Sequence, residues 1–146
     1  MQYVYRYYID GRGNINQRWL YVGITKDLHS RIYQHKRDKL AGLEKTCSIQ
    51  YFAVNSRFDA EALETYLIGL YQPIYNDSKK DFDKDNEPTF LGDAVNEIEW
   101  CNYFGKDFPL CDEPFVMQSR DYIFGQARIR RVGEVFSEAL RRTATA

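Results

Sequence analysis

Five side chains in this sequence have complementary chemistry. Tyr5 and Tyr21 lie in strand-like segments, Arg31 and His35 stand one helical turn apart, and Glu64 sits in a second stretch with helical apolar spacing. Together such groups can hydrolyse a phosphodiester, which needs an activated water, relief of charge on the phosphoryl oxygens and a stabilised leaving oxygen. Glu64 suits a hard cation, because Mg²⁺ keeps most of its waters and takes one or two carboxylates plus a substrate phosphate. Arg31 offers a planar, permanently charged fork to the scissile phosphate. His35, one turn further on the same face, reaches the same ligand and can shuttle a proton or hydrogen-bond phosphate. A free phenol has a pKa near 10 and is a poor base at neutral pH, but a cation and Arg31 beside it favour the charged form and lower that pKa. Taken singly, each residue has a plainer reading: Glu64 a solvated helix glutamate, Arg31 and His35 charges on an exposed face, and two of twelve tyrosines packing within strands.

The flanking sequence supplies elements to hold these groups. Residues 3–9, β-branched and aromatic, predict a strand, and residues 18–24 its returning partner, across a turn-rich segment with Gly11 and Gly13. A helix is expected from Asp27 to Leu40, capped by Thr25 or Asp27, with Gly42 at its end. Residues 47–54 predict a third strand. A second helix starts near Asp59 as N-cap and runs to about Tyr71, with Leu63, Tyr66, Leu67 and Leu70 on one face and Pro73 beyond its end. Residues 76–88 are polar and acidic and read as a connection, residues 89–117 show no clear period, and residues 119–142 favour a last helix.

In that order the sequence resembles the GIY-YIG nucleases. Tyr3-Val4-Tyr5 stands where the first triplet of that family belongs and Tyr21-Val22-Gly23 where the second does; Ile24-Thr25-Lys26-Asp27-Leu28 leads into the helix bearing Arg31 and His35, Glu64 follows on the second helix, and Pro73-Ile74-Tyr75-Asn76 closes the pattern. Two features depart from it: Tyr3 replaces glycine in the first triplet, and the interval between Tyr5 and Tyr21 is a few residues longer, which would bring Arg12 and Arg18 near substrate. The resemblance implies an α+β fold, a small three-stranded antiparallel sheet flanked by helices over residues 1–78. Residues 79–146 are expected to form a mixed, partly helical extension that packs on the core and ends in a helix. It also implies an endonuclease with one Mg²⁺ on Glu64, which Mn²⁺ could replace, and Tyr5 or Tyr21 as base for the attacking water. Lys26 is placed to lower the phenol's pKa or to contact nucleic acid. Asn76 is expected to fix the site by hydrogen bonding, and Gly23 to permit close backbone approach where the strand turns toward the helix.

Composition alone would not suggest a nuclease. The net charge is −1, divided between +3 over residues 1–76 and −4 over residues 77–146, a weak basic surface for a nucleic-acid binder. Cys47, Cys101 and Cys111 make an odd number without a C-x-x-C pair and read as reduced thiols of a cytoplasmic protein. No basic, apolar leader opens the chain, and no uncharged apolar run reaches the length of a membrane span. Asp81, Asp83 and Asp85 begin like a calcium loop, but Asn86 and Gly92 stand where glycine and glutamate are required. The arginines between 128 and 142 could grip a phosphate backbone or face solvent. DNA is the expected substrate, with RNA open; a homodimer or a protein partner through residues 77–146 is compatible with the acidic balance there. The competing reading is a module that binds nucleic acid without cutting, or a nuclease subunit active only in a complex.

Overall fold

The computed structural model describes residues 1–9, 18–77 and 95–116. Strands β1 (Gln2–Tyr8) and β2 (Trp19–Thr25) pair antiparallel, with Tyr5 opposite Gly23 and Tyr7 opposite Tyr21. Helix α1 (Leu28–His35), a 3₁₀ turn (Leu43–Lys45), strand β3 (Ser48–Val54), helix α2 (Arg57–Tyr71) and strand β4 (Cys101–Asn102) follow. The sheet order is β2-β1-β3-β4, antiparallel throughout. The expected α+β architecture of helices on an antiparallel sheet is therefore present, but with four strands instead of three. β4 has only two residues, too few to show alternation in sequence.

Both helices differ from expectation at one end, for local polar reasons. α1 starts where foreseen, with the Asp27 carboxylate accepting the Ser30 N–H at 3.1 Å. It stops at His35 rather than Leu40, because Asp38 accepts the Leu40 N–H at 2.8 Å and also reaches His35 at 2.7 Å. Such side-chain bonds offer the backbone an alternative to the helical ladder. The chain then descends through three-residue turns at Arg37, Ala41 and Leu43, with fully buried Leu40 as anchor. α2 begins three residues before the predicted cap: Ser56 is the N-cap, its hydroxyl accepting the Asp59 N–H at 3.1 Å, and Asp59 lies in the first turn. There its negative charge meets the positive end of the helix dipole. Gln72 ends α2 in the left-handed region at φ 48°.

The pleat of β1 assigns successive side chains to opposite faces. Val4 joins Val22, Phe52, Ala60, Leu63 and Leu67 in the core beneath α2. Tyr5 and Tyr7 join Leu20, Leu28, Ile32, Leu40 and Tyr51 in the core beneath α1. The register slips between Tyr7 and Tyr8, so that Tyr8 faces Trp19 and Leu20 is the extra residue. This bulge lets Leu20 and Tyr21 both pack on the α1 side while Trp19 packs on the α2 side.

Residues 95–116 lie against this core. Val95 and Ile98 are buried under α2, β4 pairs with Tyr51 and Gln50, and the Phe115 N–H donates to Ala53 at 2.7 Å. Arg6 joins the two parts. Its guanidinium lies over the rings of Tyr8, Trp19 and Trp100 at 3.9, 4.6 and 4.0 Å and donates to Gln50 Oε1. A desolvated guanidinium over an aromatic face is stabilised by about 1–2 kcal/mol. The predicted helix over 119–142, the acidic triplet and the arginines beyond residue 128 lie outside the described residues. Among the described residues, no helix is long and apolar enough to cross a membrane.

Candidate active site

β1, β2 and α1 meet in a cluster of polar aromatic groups. Tyr5 is 1% exposed, and its hydroxyl lies 2.6 Å from His35 Nε2. His35 is itself buried, and its Nδ1 lies 2.7 Å from Asp38 Oδ2. The His35 ring stands 5.2 Å from that of Tyr21 and 5.8 Å from that of Tyr7, both edge-to-face. The plainer reading of His35 as a charge on an exposed face therefore fails, whereas it holds for the exposure of Arg31. The wheel position of His35 beside Leu28 and Ile32 turns it inward, while Arg31, at the edge of that stripe, is exposed.

Tyr21 is half-exposed and receives the outer end of this chain of groups. Its ring lies 6.0 Å from that of Tyr5, and the interaction of the two hydroxyls raises the Tyr5 pKa and lowers that of Tyr21. Arg31 is close enough to favour ionisation of both phenols, and Glu64 close enough to oppose it at Tyr21. The structure therefore gathers Tyr5, Tyr21 and His35 in one cluster, with Arg31 in electrostatic reach of both phenols and Glu64 of Tyr21. The expected lowering of the phenol's pKa is not produced by the protein's own charges. Burial pushes Tyr21 up, followed by Glu64, against Tyr5, Lys39 and Arg31 pulling down. Tyr5 is pushed far above its ordinary value, by burial first.

Two residues at this site escaped the sequence reading. Asp38 holds the far nitrogen of His35; burial works against its charge, but hydrogen bonds from Leu40 and His35 outweigh that and keep its pKa below the usual carboxylate range. Its spacing of three residues from His35 was a usable signal. Lys39 stands 5.9 Å over the Tyr21 ring and pairs with Asp77 at 2.6 Å. Lys39, not Lys26, is thus the lysine acting on Tyr21; Lys26 is exposed. No spacing rule reveals Lys39, because its approach depends on the turns that end α1. Arg18 is half-buried with its Nε shielded from solvent, unlike the exposed phosphate contact expected, and Arg12 lies outside the described residues.

Asn76 and Gly23 hold the frame. β2 is an edge strand, and the segment after α2 covers it: the Tyr75 N–H donates to the Leu20 carbonyl at 2.8 Å. Asn76 Oδ1 accepts the Val22 N–H and its Nδ2 donates to the Val22 carbonyl, both at 2.9 Å. One buried amide thus stands in for a strand neighbour and ties the end of α2 to the residue after Tyr21. Gly23 faces Tyr5, and a Cβ built there would meet Tyr5 Oη at 2.5 Å and Cζ at 2.6 Å. The close approach is therefore by a tyrosine ring, not by backbone at a turn as expected.

The donor set fits a magnesium-type ion. Among the described residues no three His, Cys, Asp or Glu side chains gather to form a closed metal cage. A single half-exposed carboxylate suffices for a cation that retains waters and shares a substrate phosphate.

Comparison with known proteins converges on the same region. The sequence profile of the GIY-YIG catalytic domain matches residues 1–79. UvrABC system protein C of Bacteroides fragilis is 39% identical over 80 residues, which are 51% of this chain and 12% of that protein. The Rickettsia rickettsii protein of the same name is 33% identical over 73 residues, 47% of this chain and 11% of its own length. The chain thus spans about an eighth of the curated relatives it matches. No solved structure matches it.

Proposed function

The chain belongs to the GIY-YIG nuclease family, and from that premise we propose that it is a Mg²⁺-dependent endonuclease that hydrolyses phosphodiester bonds in DNA with Tyr21 as base. The observation that carries this reading is the chain of contacts from exposed Asp38 through buried His35 to Tyr5, which packs against Tyr21 with Arg31 in electrostatic reach of both phenols and Glu64 of Tyr21. With the Tyr5 hydroxyl donating to Tyr21, the Tyr5 oxygen accepts from His35 Nε2, and the Asp38 carboxylate holds the ring through its other nitrogen. This chain of contacts then supports a phenolate at Tyr21, which takes a proton from the attacking water. Arg31 holds the scissile phosphate and balances charge building on its oxygens. A divalent cation on Glu64 would supply Lewis-acid stabilisation of the phosphoryl and leaving oxygens, and it would turn the charge that now raises the Tyr21 pKa into one that lowers it. Mn²⁺ can serve in the same place. DNA as substrate and a cytoplasmic location complete the proposal.

The test is to incubate the full chain with labelled duplex, single-stranded and branched DNA and the corresponding RNA, with Mg²⁺, Mn²⁺ or a chelator. Metal-dependent cutting that Glu64→Gln abolishes, with the circular dichroism spectrum unchanged, is the expected result. Binding without cutting under every condition would refute the reading. A second reading has its own support: the relatives that match are named as parts of a system. It predicts cutting only when a partner protein is added.

A further inference from the structure

We propose that the groove on the far flank of α1 from Arg31 binds unpaired bases of the same DNA strand, so that the enzyme favours sites beside single-stranded flanks. The proposal rests on the nuclease reading for its substrate class. The groove has a volume of about 700 Å³ and lies between α1 and the chain that leaves β4. On α1, His29, Tyr33 and Lys36 follow helical spacing and line it, whereas Arg31 projects from the opposite flank. On the other wall stand Tyr103, Phe104 and Lys106, all from beyond residue 79, where the family profile ends.

Its chemistry selects an unpaired base. Tyr33 is 56% exposed and Phe104 70% exposed, so aromatic faces stand open at the rim. Arg37 lies over the Tyr33 ring, 5.0 Å from its centroid, and donates to its hydroxyl at 2.8 Å, which steadies the ring. Tyr103 is fixed through its hydroxyl, 2.8 Å from His29 Nδ1. A paired base shows its face only at a duplex end, whereas an unpaired one can stack on such rings. Lys36 and Lys106 are exposed at the mouth and suit a passing backbone; Glu44 on the wall repels phosphate but can accept a base amine. Because the chain as a whole carries a net charge of −1, phosphate attraction is weak, and stacking must supply much of the affinity. A helix with its side chains is about 10–12 Å across, so a strand crossing α1 would link the two flanks within roughly two to four nucleotides.

The experiment uses the full chain as Glu64→Gln, so that binding is read without cutting. The probe is a hairpin duplex with a short unpaired flank carrying 2-aminopurine, at either end in separate molecules, against a blunt hairpin of equal length. Expected are quenched 2-aminopurine fluorescence, roughly ten-fold tighter binding of one flanked hairpin, and a salt dependence corresponding to about two phosphate contacts in the flank. Tyr33→Leu and Phe104→Ala should each relieve the quenching and erode the preference, with circular dichroism reporting that they fold. Tyr33→Leu keeps apolar bulk while removing the aromatic face. Equal binding of flanked and blunt hairpins with no quenching would overturn the proposal, whether or not the unmodified protein cuts DNA. Quenching by a protein that never cuts would uphold the groove and reject the nuclease reading.

Discussion

Replacing Gly23 by alanine adds one methyl group at the point where β2 passes the Tyr5 ring. That carbon would lie 2.5 Å from Oη, 2.6 Å from Cζ and 2.9 Å from Cε1 of Tyr5. Ordinary carbon contacts begin near 3.5 Å, so the ring must retreat by about 1 Å. It has little room to do so. Tyr5 is 1% exposed, is held at 2.6 Å by His35, and has Tyr7 and Tyr21 at ring-centroid distances of 6.5 and 6.0 Å. Overpacking of this kind costs about 1–3 kcal/mol, expected as a fall in melting temperature of roughly 3–10 °C. A displacement of that size in a catalytic group costs on the order of 100-fold in rate. Single-turnover cleavage with saturating Mg²⁺, beside thermal unfolding, measures both. A double-mutant cycle then isolates the cause: in a Tyr5→Ala background, where the ring is gone, Gly23→Ala should be nearly neutral for stability. Undiminished cleavage by Gly23→Ala, or an equal stability loss in both backgrounds, would refute the reasoning.

Two other perturbations read the frame and the base separately. Asn76→Ala removes partners from both main-chain groups of Val22, and each buried group left unsatisfied costs about 1–3 kcal/mol; a loss of roughly 2–4 kcal/mol in urea unfolding is expected, and a loss below about 0.5 kcal/mol would mean the clasp is dispensable. Lys39→Gln removes a charge that pulls the Tyr21 pKa down against burial, so that pKa rises and less phenolate is present at a given pH. The ascending limb of kcat/KM against pH should move to higher pH, with roughly two- to five-fold less activity near neutrality, a small effect because the Lys39 side chain is 45% exposed and salt screens it. An unmoved limb would remove Lys39 from the account of Tyr21.

What could be read from sequence divides along physical lines. β1, β2, β3 and the apolar face of α2 were legible because alternation and helical spacing are imposed by burial itself. Tyr5, Tyr21, Arg31, His35 and Glu64 could be singled out through their resemblance to the GIY-YIG pattern, since each type alone has a commoner role. The end of α1 could not, since it turns on which acceptor Asp38 finds, and only the packed position of His35 decides that. Lys39 was missed for the same reason. Ser56, the N-cap of α2, was passed over for Asp59, a residue type that caps equally well, because the choice rests on how the chain leaves β3. β4 was beyond reach because pairing along the edge of β3 defines it, with no pattern of its own.

β1 has a consequence that concerns how the protein can change. Its odd residues, Tyr5 and Tyr7, line the proposed site, while Arg6 on the other side packs against Tyr8, Trp19 and, from the later part of the chain, Trp100. The two duties occupy opposite sides of one ribbon, so mutation can retune the mooring without disturbing the chemistry. Sliding the ribbon by a single residue would exchange the duties and ruin both. Variation along this strand is thus tolerated on the mooring side but barred from insertion or deletion.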